Sequence, residues 1–153
     1  MSEGNYESLL KQTWGEIPDK KTLPVGSWRL RGRNASFKEA VDDLSASFMF
    51  VYAPVEALDD VSPEGLAELG DDYEVSNNRI FAKFWVETSV DFDAVRKHLA
   101  KHGNNVADDL SIEETLKAFK DTEIISYLDV KTYTNRAGEE VEDNDAKSFA
   151  PVE

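Results

Sequence analysis

Ser27-Trp28-Arg29-Leu30-Arg31-Gly32-Arg33-Asn34 is the stretch on which the fold turns. In an extended strand, residues two apart face the same side. Arg29, Arg31 and Arg33 therefore share one face, and Trp28 and Leu30 the other, as in a strand with one side on a core. Gly32 predicts a bulge or bend, which a small barrel needs at its corners. Three guanidinium groups fixed side by side repel one another, and a phosphate-bearing ligand across them would relieve this. A solvated edge strand, where arginine discourages aggregation, is the other reading.

Outward from this strand, about Gly26 to Lys38, the pattern continues in short β segments. Ser47 to Ala53 alternates, with Phe48, Phe50 and Tyr52 on one face, read as core, and Met49 and Val51 on the other. Arg79 to Glu87 has an apolar face of Ile80, Ala82, Phe84 and Val86. Its other face, Arg79, Phe81, Lys83 and Trp85, alternates basic and aromatic. Glu123 to Thr134 is a fourth strand, Asn135-Arg136-Ala137-Gly138 a hairpin turn, and Asp145 to Phe149 a closing strand. Helices are predicted at Glu3–Trp14, after Ser62-Pro63 up to Gly70, at Phe92–His102 with Asp91 as cap, and from the Ser111/Glu114 capping box through Phe119. Regular strand–helix alternation is missing, which argues against a doubly wound parallel sheet. The expected fold is mainly β with short helices: a five-stranded, OB-like, partly open antiparallel barrel with a helical insert between strands three and four. Residues 1–22 would form an N-terminal helix and connector, and residues 23–153 the barrel domain.

The 153 residues suffice for one domain with a sizeable core. Cysteine is absent, which excludes disulfides, thiol catalysis and cysteine-ligated metals and suits a reducing cytoplasm. No stretch approaches the roughly 20 apolar residues of a membrane span, and no basic region followed by an apolar run marks a secretory signal. Net charge is −14, unevenly spread. No Lys or Arg lies between Glu39 and Asn78, and Glu139, Glu140, Glu142, Asp143 and Asp145 crowd the C-terminal piece. Charge of this sign opposes indiscriminate binding to duplex DNA but permits a groove of positive local potential.

Catalytic patterns are missing. GxxxxGK[ST], GxGxxG and GxSxG do not occur, and the paired acids lie by loops and helix starts. His98 and His102 have a spacing that can bind a metal, but no helical carboxylate accompanies them and Lys101 opposes a cation. A solvated helix face is the expectation, with no metal, no cofactor and no enzymatic activity. Binding is better supported, because single strands are held by a positive groove with aromatic faces for base stacking. The candidate DNA-binding residues are Arg29, Arg31, Arg33, Phe37, Arg79, Phe81, Lys83, Trp85, Lys131 and Tyr133. Phe37 belongs only if no bulge shifts its phase, and Phe81 and Trp85 could instead pack under a helix.

Several short motifs carry a resemblance. They are Leu23-Pro24-Val25-Gly26-Ser27-Trp28, Asn78-Arg79-Ile80-Phe81-Ala82-Lys83-Phe84-Trp85, the helix-to-strand run Leu116–Thr134, the turn Asn135–Gly138, and Ala146-Lys147-Ser148-Phe149-Ala150-Pro151. In these the chain resembles a family of bacteriophage single-stranded-DNA-binding proteins with an OB fold. The resemblance implies sequence-tolerant binding of single strands in phage DNA replication or recombination, in the cytoplasm of the host cell. It also implies partnership with replication or recombination proteins and leaves self-association open. The acidic tail through which such proteins recruit partners has no counterpart in Pro151-Val152-Glu153. The other reading is an acidic protein-interaction module, a DNA mimic or host-enzyme inhibitor, suggested by the acidic segment 39–78.

Overall fold

The computed structural model describes residues 20–104 and 106–152, with residues 10, 11 and 13. The helix expected over 3–14 falls outside the described residues apart from those three.

Five antiparallel strands form one open sheet: β1 (Gly26–Lys38), β2 (Ala46–Ala57), β3 (Ile80–Val86), β4 (Glu123–Thr134) and β5 (Glu140–Ala150). Their order is β3-β2-β1-β4-β5, so β1 pairs with both β2 and β4. Short helices lie between strands: α1 (Pro63–Leu69), a 3₁₀ turn (Val75–Asn77), α2 (Ser89–Lys101) and α3 (Ile112–Lys117). The edge strands β3 and β5 approach within 8 Å Cα to Cα, with no hydrogen-bonded ladder between them among the described residues. The sheet therefore curls, and Phe149 of β5 lies 5.9 Å from Tyr52 of β2, ring centre to ring centre.

Local chemistry explains the helix ends. Ser62 accepts from the Gly65 N–H at 3.0 Å, Pro63 occupies the first turn, and Gly70 ends α1 with φ of 88°. Asp91 is not the cap of α2. Thr88 holds that position, and the Asp91 carboxylate reaches back to accept from the N–H groups of Glu87 (2.8 Å) and Thr88 (3.1 Å). Those hydrogen bonds hold Asp91 below the usual carboxylate range. In α3, Ser111 accepts from the Glu114 N–H at 3.1 Å.

The inner face of the curled sheet buries Trp28, Leu30, Phe48, Phe50, Tyr52, Ile80, Ile124 and Leu128. Phe119, just past α3, is fully buried among them and packs on Phe50 and Tyr52. His98 and His102 are also inside, a correction to the solvated helix face expected for them. They sit on the same side of α2 as Val95 and Leu99, which pack on the sheet. A polar partner inside makes this tolerable: the Tyr52 hydroxyl bridges the two rings. The closing strand is longer than Asp145–Phe149, because residues from Glu140 onward pair with β4. The acidic residues Glu140 to Asp145 are therefore part of a strand and do not precede it.

The register of β1 slips between Gly32 and Asn34, leaving Arg33 as the extra residue. Gly32 is required there by close approach. Its N–H donates to the Thr122 carbonyl at 2.7 Å, its carbonyl accepts from Asp121 at 2.8 Å, and an added Cβ would lie 2.7–2.8 Å from the Phe119 ring and carbonyl. Gly32→Ala is expected to cost about 1–3 kcal/mol by overpacking. In a domain of this size that lowers the melting temperature by roughly 2–4 °C per kcal/mol. An unchanged melt would show that the Phe119–Thr122 connection is free to move away from β1.

Candidate nucleic-acid interface

The outer face of the sheet is set by the pairing of β1, β2 and β3. Residues directly opposite one another project to the same side, and the rows read Lys38–Ser47–Trp85, Ser36–Met49–Lys83 and Asn34–Val51–Phe81. On β2 the same alternation reaches Ala53, which pairs with Arg31. Arg31 and Arg29 thus lie on the same face of one sheet as Phe81, Lys83 and Trp85, with β2 between the two groups.

Phe81 and Trp85 are half-exposed, at 54% and 51%, and are not covered by a helix. The Lys83 ammonium lies 4.2 Å from the centre of the Trp85 ring, a cation–π contact worth about 0.5–1 kcal/mol at an exposed site. It orders both side chains while leaving the far side of the indole open. Lys83, Lys38 and Arg33 are exposed and form no ion pair with a described residue. Met49 and Val51 form a half-buried apolar floor between Lys83, Phe81 and β1.

The other candidates are placed differently. Phe37 is on the opposite face: the extra residue at Arg33 inverts the alternation, so Phe37 pairs with Phe48 and their rings lie 4.9 Å apart. The residues turned outward in its place are Ser36 and Lys38. Gly32 was the sequence signal for this inversion, and Lys38 is the functional candidate that the unbroken alternation overlooked. Arg79 lies just outside β3, and its Nη1 donates to the carbonyls of Ser76 (2.8 Å) and Asn78 (3.0 Å), bracing the turn before the strand. Lys131 and Tyr133 lie on the part of β4 that runs past the start of β1, where Gly26 is opposite Leu128. Their cross-strand neighbours are Asp143 and Val141, and the strand pairing does not join them to the patch around Trp85.

Arg29 and Arg31 are on the expected face but already have anionic partners. Nε and Nη2 of Arg31 donate to Oε2 of Glu123 at 3.3 and 3.0 Å. Arg29 pairs with Glu56 at 3.4 Å and with the other Glu123 oxygen at 3.7 Å. These counter-charges come from β2 and β4, far from the arginines in sequence. Comparison with known protein families and with curated proteins finds no match to the chain.

Chemically, the outer face offers two half-exposed aromatic rings, three cations with no ion-pair partner among the described residues and a shallow apolar floor. Rings of this kind give a flat π surface to any base, and the cations give charge to a backbone. On the inner side of the sheet, Tyr52, His98 and His102 form a buried cluster. Burial holds His98 down to about 3 and His102 to about 4, so both imidazoles are neutral in the folded protein. Among the described residues no group of three or more His, Asp or Glu is placed to hold a metal ion. None of their helices is long and apolar enough to cross a membrane.

Proposed function

We propose that the chain is a sequence-tolerant single-stranded-DNA-binding protein whose curled sheet is an OB-like, partly open barrel. The strand would lie across the outer face of β1, β2 and β3. One observation carries the reading: Phe81 and Trp85 stand half-exposed on a sheet face whose other side already supplies the core, with Lys83, Lys38 and Arg33 beside them. Half-exposed rings contribute little to stability, about 0.5–1 kcal/mol for the Lys83–Trp85 contact, whereas each can stack a base for about 1–3 kcal/mol. The face of strands two and three is also where OB folds take oligonucleotides. The strand order β3-β2-β1-β4-β5 and the close approach of β3 to β5 are compatible with that barrel. No catalytic step belongs to this reading. The setting in phage replication or recombination follows from the resemblance in short motifs.

Anisotropy titration of labelled oligo-dT across a salt series tests it. Three accessible cations predict a slope of log K against log salt of about −2, at roughly −0.7 per phosphate on a single strand. Duplex of the same length should bind much more weakly, since its bases are not free to stack on Phe81 and Trp85. A flat oligo-dT titration at low salt would overturn the reading.

A further inference from the structure

We propose that Glu123 is a resident anion that keeps nucleic-acid phosphates off Arg29 and Arg31, confining the strand to the side of the sheet that carries Arg33, Lys38, Lys83 and the two rings. The proposal rests on the reading of the outer face as a strand-binding surface.

Glu123 opens β4, directly opposite Arg31 in the β1–β4 register, so the fold itself delivers its carboxylate to the arginine row. One oxygen takes two hydrogen bonds from Arg31, at 3.3 and 3.0 Å, and the other lies 3.7 Å from Nε of Arg29. This is the two-oxygen, two-guanidinium arrangement that a phosphate would adopt. Glu56 holds Arg29 from its other side at 3.4 Å. The Nε of Arg29 is buried without a hydrogen-bond partner among the described residues, so this guanidinium retains capacity for a better-placed acceptor. The Glu123 side chain is only 26% exposed and Arg29 only 32%, so the cluster is screened less than a fully exposed pair.

A strand phosphate reaching Arg31 must either displace this carboxylate or lie beside it, and the second option is repulsive. Arg33, the extra residue of the bulge and beyond the last β1–β4 pair at Arg31–Glu123, has no such rival among the described residues. Two arginines that look like the centre of a phosphate site are therefore internally compensated. Discrimination against densely charged ligands follows, because the accessible face depends more on stacking than on phosphate contacts.

A double-mutant cycle on oligo-dT binding tests this, with duplex as comparison. Glu123→Gln keeps the shape and removes the charge. It is expected to tighten oligo-dT binding about fivefold at low salt and to steepen the salt slope by about 0.7 for each arginine that gains a phosphate. Arg31→Gln alone should change affinity less than about twofold, yet remove most of the gain in the Glu123→Gln background. Glu56→Gln gives a smaller gain through Arg29 and serves if Glu123→Gln melts early. If the parent binds oligo-dT but both glutamine variants keep its affinity and slope, or if Arg31→Gln alone costs tenfold, Glu123 is no rival and the proposal falls. If the parent itself does not bind, the reading of the face has failed instead.

Discussion

Replacing Trp85 with alanine is expected to weaken oligo-dT binding about tenfold to a hundredfold and to leave the fold intact. The size follows from the loss of one stacked base, about 1–3 kcal/mol. The selectivity follows from position. Trp85 projects from the outer face opposite Ser47, is half-exposed, and belongs to neither the buried cluster around Phe50 nor the residues packed against it. Its principal partner in the free protein is Lys83, whose ammonium would then be free to move. Phe81→Ala should act in the same direction, and the double variant should lose more than either alone. Titration in a Trp14→Phe background leaves only Trp28 and Trp85 to emit, and Trp28 is buried, so quenching on addition of oligo-dT reports on Trp85. Unchanged affinity of Trp85→Ala, together with no quenching in the Trp14→Phe background, would move the binding surface elsewhere.

The second large effect concerns acid. Stability is expected to be full above about pH 6.5 and to fall by about 4 kcal/mol by pH 5, a large part of the 5–15 kcal/mol that holds a typical domain together. Hydrogen bonding fixes the states involved. Nδ1 of His102 lies 2.7 Å from the His98 carbonyl, so it carries the proton and donates. Nε2 of His102 then accepts from the Tyr52 hydroxyl at 2.8 Å, and Nε2 of His98 donates to the Tyr52 oxygen at 2.6 Å. Each ring is neutral, and an added proton on His102 would face the Tyr52 hydroxyl donor to donor. Burial, together with the neighbouring His102 and Lys101, holds His98 at about 3; burial holds His102 at about 4. In the unfolded chain both titrate near 6.5. The unfolded state therefore takes up protons first, and each histidine contributes up to about 1.4 kcal/mol per pH unit of decline until its folded value is reached. Denaturant unfolding at pH 7.5, 6.5, 5.5 and 5.0 measures this directly. Stability level across those four points would contradict the assignment. Tyr52→Phe should cost about 1–3 kcal/mol already at pH 7.5, because it strands two buried ring nitrogens.

Elements with local signals were legible in the sequence. The bounds of β4, Glu123 to Thr134, follow from a run rich in β-branched and aromatic residues ending in the Asn135–Gly138 turn. The start and end of α1 follow from Ser62, Pro63 and Gly70, each acting on its own backbone. The aromatic alternation of Phe48, Phe50 and Tyr52 identified the inner face because that rule needs no distant partner. What escaped depends on residues far apart in the chain. A single extra residue at Arg33 moved Phe37 to the opposite face, and an alternation count cannot cross a bulge. His98 and His102 looked exposed because their satisfying hydroxyl comes from Tyr52, some 50 residues earlier. The arginine row looked free because Glu123 and Glu56 reach it only through strand pairing. The closing strand was expected to start only at about Asp145, yet pairing with β4 holds the chain extended from Glu140.

The approach of β3 to β5 has a mechanical meaning. Within the described residues no backbone hydrogen bond crosses that line, and His98 bridges it, its ring 4.8 Å from Phe84 of β3 and 4.7 Å from Phe149 of β5. Every other strand junction must break a ladder to part; this one need only separate rings. The join without a ladder and the acid-sensitive histidines thus share side chains, so acid is expected to loosen this seam.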